Sequence, residues 1–415
     1  MALESRTFSG NQALIMASKM KYEVLRQFFW GQFAKFNTPG GIPAKPGNIP
    51  KATDSPIVMQ SELQREQGDV MKIPLMRALR GKPTVGLDQM AGFEERMKVN
   101  HAQIPIDILR HAVLTQEGPM MTQTTKDYKI LQRAKPLLRR HYGEVLELYQ
   151  ISHAFYNGFS RNILESTNTR WSGHASIKKV SHPHIFIAGQ GKVSYGVSSY
   201  PSTSAYETVI GTALGSVAPS HVFDTNFLSG LKAHQQILKI APIIMSDGNK
   251  YRLIVAHPYQ IADLEADANF RQVASSAFVQ QMAKKNPLLA GCRYHYAGFF
   301  IFESETAVWP VAVSSGVPVY GPTTLTNLDS YTEYTSDVMF CAIVLGSNAM
   351  FRGIGSSIQF IGRVDDYDAI KGIAYQNLEG ASRADYFNDD DGTRGQYVKN
   401  DGSAVAITYA AEPSM

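Results

Sequence analysis

The stretch GDVMKIPLMRALRGKPTVGLDQMAGFEERMKVNHAQIPI, from Gly68 to Ile106, decides the fold. Two strand-like arms, Val70–Leu79 and Phe93–Ile106, flank a centre that is punctuated by glycine and proline. This pattern predicts a β-hairpin. The arms also contain Pro74 and Pro105. Because a proline removes a backbone donor, both arms suit an edge strand or a two-stranded ribbon.

The ribbon is long and has little of its own to bury. At about 3.3 Å per residue, an arm of about twelve residues reaches about 40 Å. The arms alternate poorly between apolar and polar residues, and an isolated two-stranded ribbon is marginally stable in water. We therefore expect the ribbon to need another surface to lie on.

The composition is that of a globular protein with two or three domains, since the chain has 415 residues, 44% of them hydrophobic and 18% charged. A net charge of +4 is too weak by itself to indicate nucleic-acid binding. The two cysteines, Cys292 and Cys341, form no CxxC motif, which favours a reducing compartment. No signal sequence or membrane-length apolar run is found. We expect a soluble, multi-domain protein made inside the cell.

The N-terminal segment has the character of a docking arm. Residues Asn11–Phe36 predict an amphipathic helix, and a Pro/Gly-rich linker follows from Thr38 to Pro56. The helix ends in a dense group of aromatic residues: Phe28, Phe29, Trp30, Phe33 and Phe36. We interpret the arm as docking on a neighbouring subunit; the alternative is a short helix folded back on its own domain.

The middle of the chain predicts a mixed α+β protein. The longest amphipathic helix spans Asp127–Ile163, with a kink or a fresh start at Pro136 and Gly143. Irregular or short-strand structure is expected from Thr167 to Gly215. The later elements are a helix at Phe227–Ile240, a buried strand at Tyr251–His257, a helix beginning at Pro258, single strands at Tyr294–Ser304 and from Met339, and a hairpin at Asp401-Gly402.

A search for catalytic or cofactor motifs returns none. The stretch Gly189–Gly196 lacks the spacing of a phosphate-binding loop, and the acidic turn ending at Gly392 lacks the final glutamate of a calcium loop. Ser18 and Lys21 form an S-x-x-K without its companion motifs, and no GxSxG elbow is found. Eleven histidines leave a metal site open only through folding. The sequence predicts neither an enzyme nor a cofactor.

Two segments have opposite charge. Lys126–Arg140 holds six basic residues and one acid, a net charge of +5, whereas Arg363–Asp391 holds eight acids and three basic residues, a net charge of −5. Either segment is explained by a solvated surface. The alternative is complementary contact between copies, or a basic helix facing a polyanion.

The order of these segments resembles a known family. The chain is similar to tailed-bacteriophage major capsid proteins, and more narrowly to those of the N-four-like podoviruses. The resemblance is carried in order by REQGDVMKIPLMRALRGKPTVGLDQMAGFEE, IPIDILRHAVLTQEGPMMTQTTKDYKILQRAKPLL, YRLIVAHPYQIADL, KKNPLLAG, YHYAGFFIFES and CAIVLGSNAMF. Residues from about Thr167 to Ser220 have no clear counterpart.

The resemblance implies the α+β Hong Kong 97 type capsid fold. The implied regions are an N-terminal arm (1–65), an extended β-hairpin loop (66–112), the spine helix with the first part of a peripheral domain (113–220), an axial domain (221–355) and the second peripheral part (356–415). The Gly68–Ile106 ribbon would be the loop that lies across a neighbouring subunit. The implied function is an icosahedral virion shell of hexamers and pentamers around double-stranded DNA, without an enzymatic activity, a cofactor or a metal, and with portal and scaffolding or decoration proteins as further partners.

Two sets of residues are candidates for contacts. Expected subunit contacts are Arg80, Lys82, Leu87 and Met90 in the ribbon and Phe29 and Trp30 in the arm. Expected interior, DNA-facing residues are Arg133, Arg139 and Arg140. Alternatives are an encapsulin-like compartment on the same fold, an α+β enzyme and a polysaccharide-binding module.

Overall fold

The computed structural model of the chain describes a set of separate ranges. These are residues 29–36, 55–60, 70–76, 99–114, 136–143, 145–146, 151–157, 182, 184–194, 203–237, 240–244, 250–273, 292–305, 307–314, 317–320, 338–365, 370–388, 396–400 and 402–410. The structural statements below concern these residues.

The described helices and strands alternate irregularly along the chain, as expected for an α+β protein. The helices are α1 (136–143), α2 (His153–Asn157), α3 (Thr203–Leu214), α4 (Thr225–Ile237), α5 (Pro258–Ala266) and α6 (Ala268–Val273), and Phe29–Phe33 forms a 3₁₀ turn. The strands are β1 (Ala34–Phe36), β2 (Ile57–Gln60), β3 (Val70–Met76), β4 (Val99–Pro105), β5 (Asp107–Leu114), β6 (His184–Ile187), β7 (Gly191–Ser194), β8 (Ile243–Ile244), β9 (Lys250–Ala256), β10 (Cys292–Tyr296), β11 (Phe299–Glu303), β12 (Trp309–Ser314), β13 (Val317–Tyr320), β14 (Val338–Leu345), β15 (Met350–Asp365), β16 (Ile370–Arg383), β17 (Tyr386–Asn388), β18 (Gln396–Lys399) and β19 (Ser403–Ala410).

The largest sheet contains ten of these strands. Its main path is β10-β11-β9-β14-β19-β6-β7, and β8, β12 and β13 pair at its margins. Side chains on both faces of the central strands are buried, and each face belongs to a separate hydrophobic cluster. This two-sided burial explains why Val338–Leu345 is apolar throughout rather than alternating.

A five-stranded sheet, in the order β1-β2-β15-β16-β5, forms a second layer. Strands β15 and β16 form a long antiparallel pair, and β5 pairs with β16 at one edge. Leu138 and Tyr142 of α1 are buried in the cluster that covers one face of this sheet. The predicted long helix is therefore observed in part, as helical residues 136–143, 145–146 and 151–157.

The base of the ribbon belongs to a third sheet, in the order β18-β17-β4-β3. The predicted antiparallel pairing of the arms is confirmed, with Val70 opposite Pro105 and Met76 opposite Val99. Pro74 lies in the edge strand β3, where its missing donor costs no ladder bond. Residues 77–98 lie outside the described ranges.

The expectation that the ribbon buries no face in its own chain is wrong for this base. The third hydrophobic cluster contains Met71, Ile73, Ala102 and Ile104, packed with residues of β2, β15 and β17. The five-stranded sheet and the sheet at the ribbon base approach each other closely, since a Cβ at Gly380 would lie 1.9 Å from the carbonyl oxygen of Pro105. Glycine is therefore required where β16 passes the end of β4.

Three predicted local structures are also wrong: the irregular segment at Thr203–Leu214, the single strand at Tyr294–Ser304 and the hairpin at Asp401-Gly402. Thr203–Leu214 is a helix rather than irregular structure, and it buries Ile210 and Leu214. The single strand expected at Tyr294–Ser304 is part of a hairpin, β10–β11, whose turn residues Ala297 and Gly298 have φ values of 52° and 87°. Such left-handed positions are typical of a two-residue hairpin turn.

The hairpin expected at Asp401-Gly402 does not form, because β18 and β19 belong to different sheets. Asn400 makes the crossing: its Oδ1 accepts hydrogen bonds from the amides of Gly402 and Ser403. A Cβ at Gly402 would lie 2.6 Å from the Cα of Ala349, so the crossing also depends on a close backbone approach. The Asx-type turn, and not a hairpin turn, explains the Asn-Asp-Gly sequence.

The aromatic residues of the arm pack in their own chain. Trp30 and Phe33 are fully buried in the large core cluster, and the rings of Phe29 and Phe33 contact Phe302 at centroid distances of 6.4 and 5.1 Å. Strand β1 then pairs in parallel with β2. The expectation that Trp30 docks on a neighbour is wrong, since no part of its side chain is exposed. The predicted helix at Asn11–Phe36 is a 3₁₀ turn and a strand where it is described, and its earlier residues lie outside the described ranges.

Candidate assembly surfaces

A buried ionic network fixes α1 to the five-stranded sheet. Arg352 Nη2 lies 2.6 Å from Glu379 Oε2, and the Tyr142 hydroxyl donates to Glu379 Oε1 at 2.9 Å. Asn377 Nδ2 donates to the same hydroxyl oxygen at 2.8 Å. Burial, together with the nearby Glu379 carboxylate, raises the pKa of Tyr142 well above its usual value, so the hydroxyl keeps the proton that it donates. The spine helix is therefore held by charge as well as by apolar packing.

A second buried network joins all three sheets. Arg383, at the end of β16, binds the Asp385 carboxylate through Nε and Nη2 and donates from Nη1 to the carbonyl oxygen of Phe155 in α2. Asn400 Nδ2 donates to Asp385 Oδ1 at 2.8 Å. Because Asn400 lies between β18 and β19, this cluster fixes the ribbon base and both larger sheets in one arrangement.

Sequence reasoning placed these charges on the surface. Glu379, Arg383 and Asp385 belong to the acidic segment Arg363–Asp391, which was interpreted as solvated or as a contact between copies, yet all three are buried and paired within the chain. The carboxylates of Glu379 and Asp385 therefore do not support the hypothesis that the acidic segment contacts another copy. A signal was available in the sequence, since Arg352 is the only charged residue of the apolar run AMFRGI.

One face of the five-stranded sheet is open in the single chain. Along β5, Ile108, Arg110 and Ala112 are exposed, whereas Leu109 and Val113 pack against the core on the opposite face. Ile108 is 54% exposed, and β5 is an edge strand. Across the sheet, Gln376 Nε2 donates to Gln359 Oε1 at 3.1 Å. An exposed apolar side chain on a strand that is at the edge of its sheet among the described strands is typical of a contact surface.

The candidate DNA-facing residues are described in part. Arg139 is half-exposed and Arg140 is exposed on α1, next to Leu137, which is 64% exposed. Leu138 and Tyr142 form the buried side of the same helix. Arg133 lies outside the described residues. The helix therefore presents a basic, partly apolar side away from its own core.

The candidate subunit contacts are divided in the same way. Arg80, Lys82, Leu87 and Met90 lie outside the described residues. Phe29 is half-buried and Trp30 is fully buried among core residues of their own chain. The four ribbon residues and Phe29 stay predictions as subunit contacts.

The described ranges contain no group of three or more His, Cys, Asp or Glu side chains that could hold a metal ion. In the same ranges, no helix is long and apolar enough to cross a membrane. Two of the eleven histidines, His182 and His184, bond to Ser403 Oγ and to the carbonyl oxygen of Asn400, respectively. These two histidines therefore have structural roles beside the second buried network.

The family model for phage capsid protein matches residues 13–412 of the chain. The chain belongs to the phage capsid protein family. Because this match covers nearly the whole chain, it includes the ribbon, the spine helix and all three sheets. This capsid protein forms the phage head shell and is a structural component of the virion, as the sequence resemblance implied. Membership of a structural protein family also confirms that it is not an enzyme.

Solved phage capsids share the fold at low sequence identity. The capsid of Ralstonia phage GP4 is 15% identical with a TM-score of 0.62, covering 100% of this chain and 94% of that one. The cyanophage Pam1 capsid is 16% identical with a TM-score of 0.55, covering 87% and 90% of the two chains. The capsid of Helicobacter pylori bacteriophage KHP30 is 12% identical with a TM-score of 0.53, covering 88% and 93%. No curated protein matches the chain. The predicted α+β fold of the Hong Kong 97 capsid type is confirmed.

Proposed function

We propose that this capsid protein builds the head of a tailed phage of the N-four-like podovirus group, in which hexamers and pentamers enclose double-stranded DNA. The observation that carries the group assignment is the ordered series of sequence segments from Arg65 to Phe351, which resembles that group more narrowly than tailed phages in general. The proposed domain bounds are those that the resemblance implies: 1–65, 66–112, 113–220, 221–355 and 356–415.

We infer that the ribbon beyond β3 and β4 is the main contact between subunits. Its base is anchored by Met71, Ile73 and Ile104, so a rigid root supports the arms. The residues proposed to touch a neighbour are Arg80, Lys82, Leu87 and Met90. Arg80 and Lys82 suit acidic partners, and Leu87 and Met90 suit an apolar surface on the neighbouring subunit.

The basic side of the spine helix is proposed to face the packaged DNA. Arg139 is half-exposed and Arg140 is exposed on α1, and Arg133 precedes Arg139 by six residues in the sequence. Contacts to phosphates are electrostatic and independent of sequence. Portal and scaffolding or decoration proteins are the further partners proposed.

The test is to express the full-length protein and to examine it by analytical ultracentrifugation and negative-stain electron microscopy. Closed shells of uniform size are expected, with or without DNA. Shells that enclose host proteins and exclude nucleic acid would favour a compartment of the encapsulin type. A stable monomer under all assembly conditions would contradict self-assembly by this chain alone.

A further inference from the structure

Two histidines join the spine helix to the strand that continues from the ribbon. The rings of His111 in β5 and His141 in α1 are stacked, with centroids 4.0 Å apart and planes 18° apart. Strand β5 follows β4 after a single residue, Ile106. The stack therefore links the spine helix with the strand that leaves the returning arm of the ribbon.

Tyr375 of β16 completes the contact. It lies opposite His111 in the sheet register, and its ring centroid is 6.2 Å from the centroid of each histidine ring. The Tyr375 hydroxyl lies 3.1 Å from His141 Nδ1. Burial raises the pKa of Tyr375, and the Glu379 carboxylate raises it further, so the hydroxyl keeps its proton and can donate to Nδ1 of a neutral imidazole. A protonated imidazole has no acceptor nitrogen and would lose this bond in that direction.

We propose that the His111–His141 stack is an acid-sensitive contact, which holds β5 on the spine helix near neutral pH and loosens it when the histidines become protonated. Two like charges at the ring separation of 4.0 Å disfavour the doubly protonated state. Because the contact lies within one subunit, the capsid function stands even if the stack is not sensitive to acid.

The elements packed around the stack carry ionisable groups of both signs. Besides the two histidines, the ionisable residues on the packed elements are Asp107 and Arg110 of β5, Arg139, Arg140 and Tyr142 of α1, and Lys371, Tyr375, Glu379 and Arg383 of β16. Asp107 Oδ1 accepts a hydrogen bond from the amide of Ile108, and Glu379 is paired with Arg352. Burial lowers the pKa of His111. Because the folded-state pKa is lowered, the contact is intact above the unfolded value of about 6.5 and is lost as pH falls through the folded value.

The test is hydrogen–deuterium exchange of the full-length protein at pH 7.5 and pH 5, corrected for the intrinsic exchange rate. In the wild type, protection of the amides of residues 107–114 should fall at the lower pH, and in His111→Phe, where His141 is the one histidine left in the stack, the fall should be clearly smaller. Phenylalanine preserves the stack and cannot take up a proton.

Two further variants make the result decisive. His111→Gln also removes one of the two titrating groups, so its protection should be lower at both pH values and should depend less on pH than that of the wild type; it carries the test if His111→Phe does not fold. His295→Phe is the matched control, because His295 is a half-buried histidine packed on Tyr251 and Phe300 in the ten-stranded sheet. It should keep the wild-type pH dependence. An unchanged pH dependence in both His111 variants, or its loss in His295→Phe, would overturn the proposal.

Discussion

Arg352 Nη2 and Glu379 Oε2 lie 2.6 Å apart in a part of the chain that water does not reach. They come from adjacent strands, β15 and β16, and Tyr142 of the spine helix shares the same carboxylate. A buried pair of this kind adds little over an apolar pair of the same size, but it strongly penalises the loss of one partner. It therefore specifies where the spine helix lies on the sheet.

Glu379→Gln should lower the free energy of unfolding by about 3–5 kcal/mol, because it leaves the Arg352 charge buried without a counter-charge. The double variant Arg352→Met, Glu379→Met should lose less than Glu379→Gln alone. Glu303→Gln is the control, since its partner Arg293 is partly exposed, and it should change the free energy by about 0–1 kcal/mol. Urea denaturation of unassembled subunits measures all three. Equal losses in Glu379→Gln and Glu303→Gln would contradict the role of the buried pair.

Trp30→Ala should destabilise the subunit itself, by about 3–5 kcal/mol, because the side chain is fully buried in its own core. The exposed residue Ile108 provides the control, and Ile108→Ala should stay within about 0.5 kcal/mol. Removal of residues 1–38 should accordingly unfold the subunit, whereas removal of residues 1–28 should leave it folded. If the shorter chain from residue 39 folds with native circular dichroism, the intramolecular role of Trp30 and Phe33 is wrong.

Replacement of Arg80–Met90 by a short Gly-Ser turn should leave the subunit folded and prevent shell formation. The described base of the ribbon, β3 and β4, keeps its contacts in this variant, so far-UV circular dichroism should match the wild type. Negative-stain microscopy of the same sample shows whether shells form. Normal shells would refute the assignment of these residues to contacts between subunits.

Neutralising the basic side of the spine helix, by Arg133→Gln, Arg139→Gln and Arg140→Gln together, should lower DNA retention and spare the assembly of empty shells. The difference from the wild type should be largest at low salt and should shrink as the salt concentration rises, because salt screens the phosphate contacts that the wild type retains. The matched control replaces Lys72, Lys232 and Lys250, three exposed lysines on other elements, and removes the same charge. Equal DNA retention in the two triple variants would assign the basic side to another contact.

Replacing Asp263 and Asp267 by asparagine should change the stability of the protein in opposite directions at neutral pH. Asp263 Oδ2 has no hydrogen-bond partner within the described part of the chain, and burial raises its pKa to about 6. The charged form is therefore disfavoured in the folded state, so Asp263→Asn should stabilise the protein above pH 6 and lose this gain below about pH 4.

Asp267 is the matched comparison. Hydrogen bonds from the hydroxyl and amide of Thr225 lower the pKa of Asp267. Asp267→Asn should therefore destabilise the protein at neutral pH, and the loss should fade in acid. Thermal unfolding at pH 7.5 and pH 4 measures both variants, and a shift in the same direction for both at pH 7.5 would contradict the assignment.

The elements that were predicted correctly are those whose sequence signals lie within the element itself. The base of the ribbon and the apolar strand Val338–Leu345 have strong local signals, in glycine and proline punctuation and in a continuous apolar run. The helix Thr203–Leu214 was missed because its threonines, valine and glycine are poor helix formers. Burial of Ile210 and Leu214 stabilises it, and that contact is visible only in the folded chain.

The candidate sites were predictable to a smaller degree. Arg383, Asp385 and Asn400 meet only because three sheets converge, so their pairing has no signature in the spacing of the sequence. Trp30 was assigned to a neighbour because the linker after it gives no local reason for docking. It is buried in the cluster that contains Phe302, a residue far along the chain whose ring contacts Phe29 and Phe33.

A cryo-electron microscopy reconstruction of particles assembled from the full-length protein tests shell assembly and the ribbon contact together. We expect a closed icosahedral shell of hexamers and pentamers, in which residues 80–90 of each subunit lie on a neighbouring subunit while Trp30 stays buried in its own chain. Particles without icosahedral order, or a shell in which residues 80–90 contact only their own subunit, would contradict this expectation.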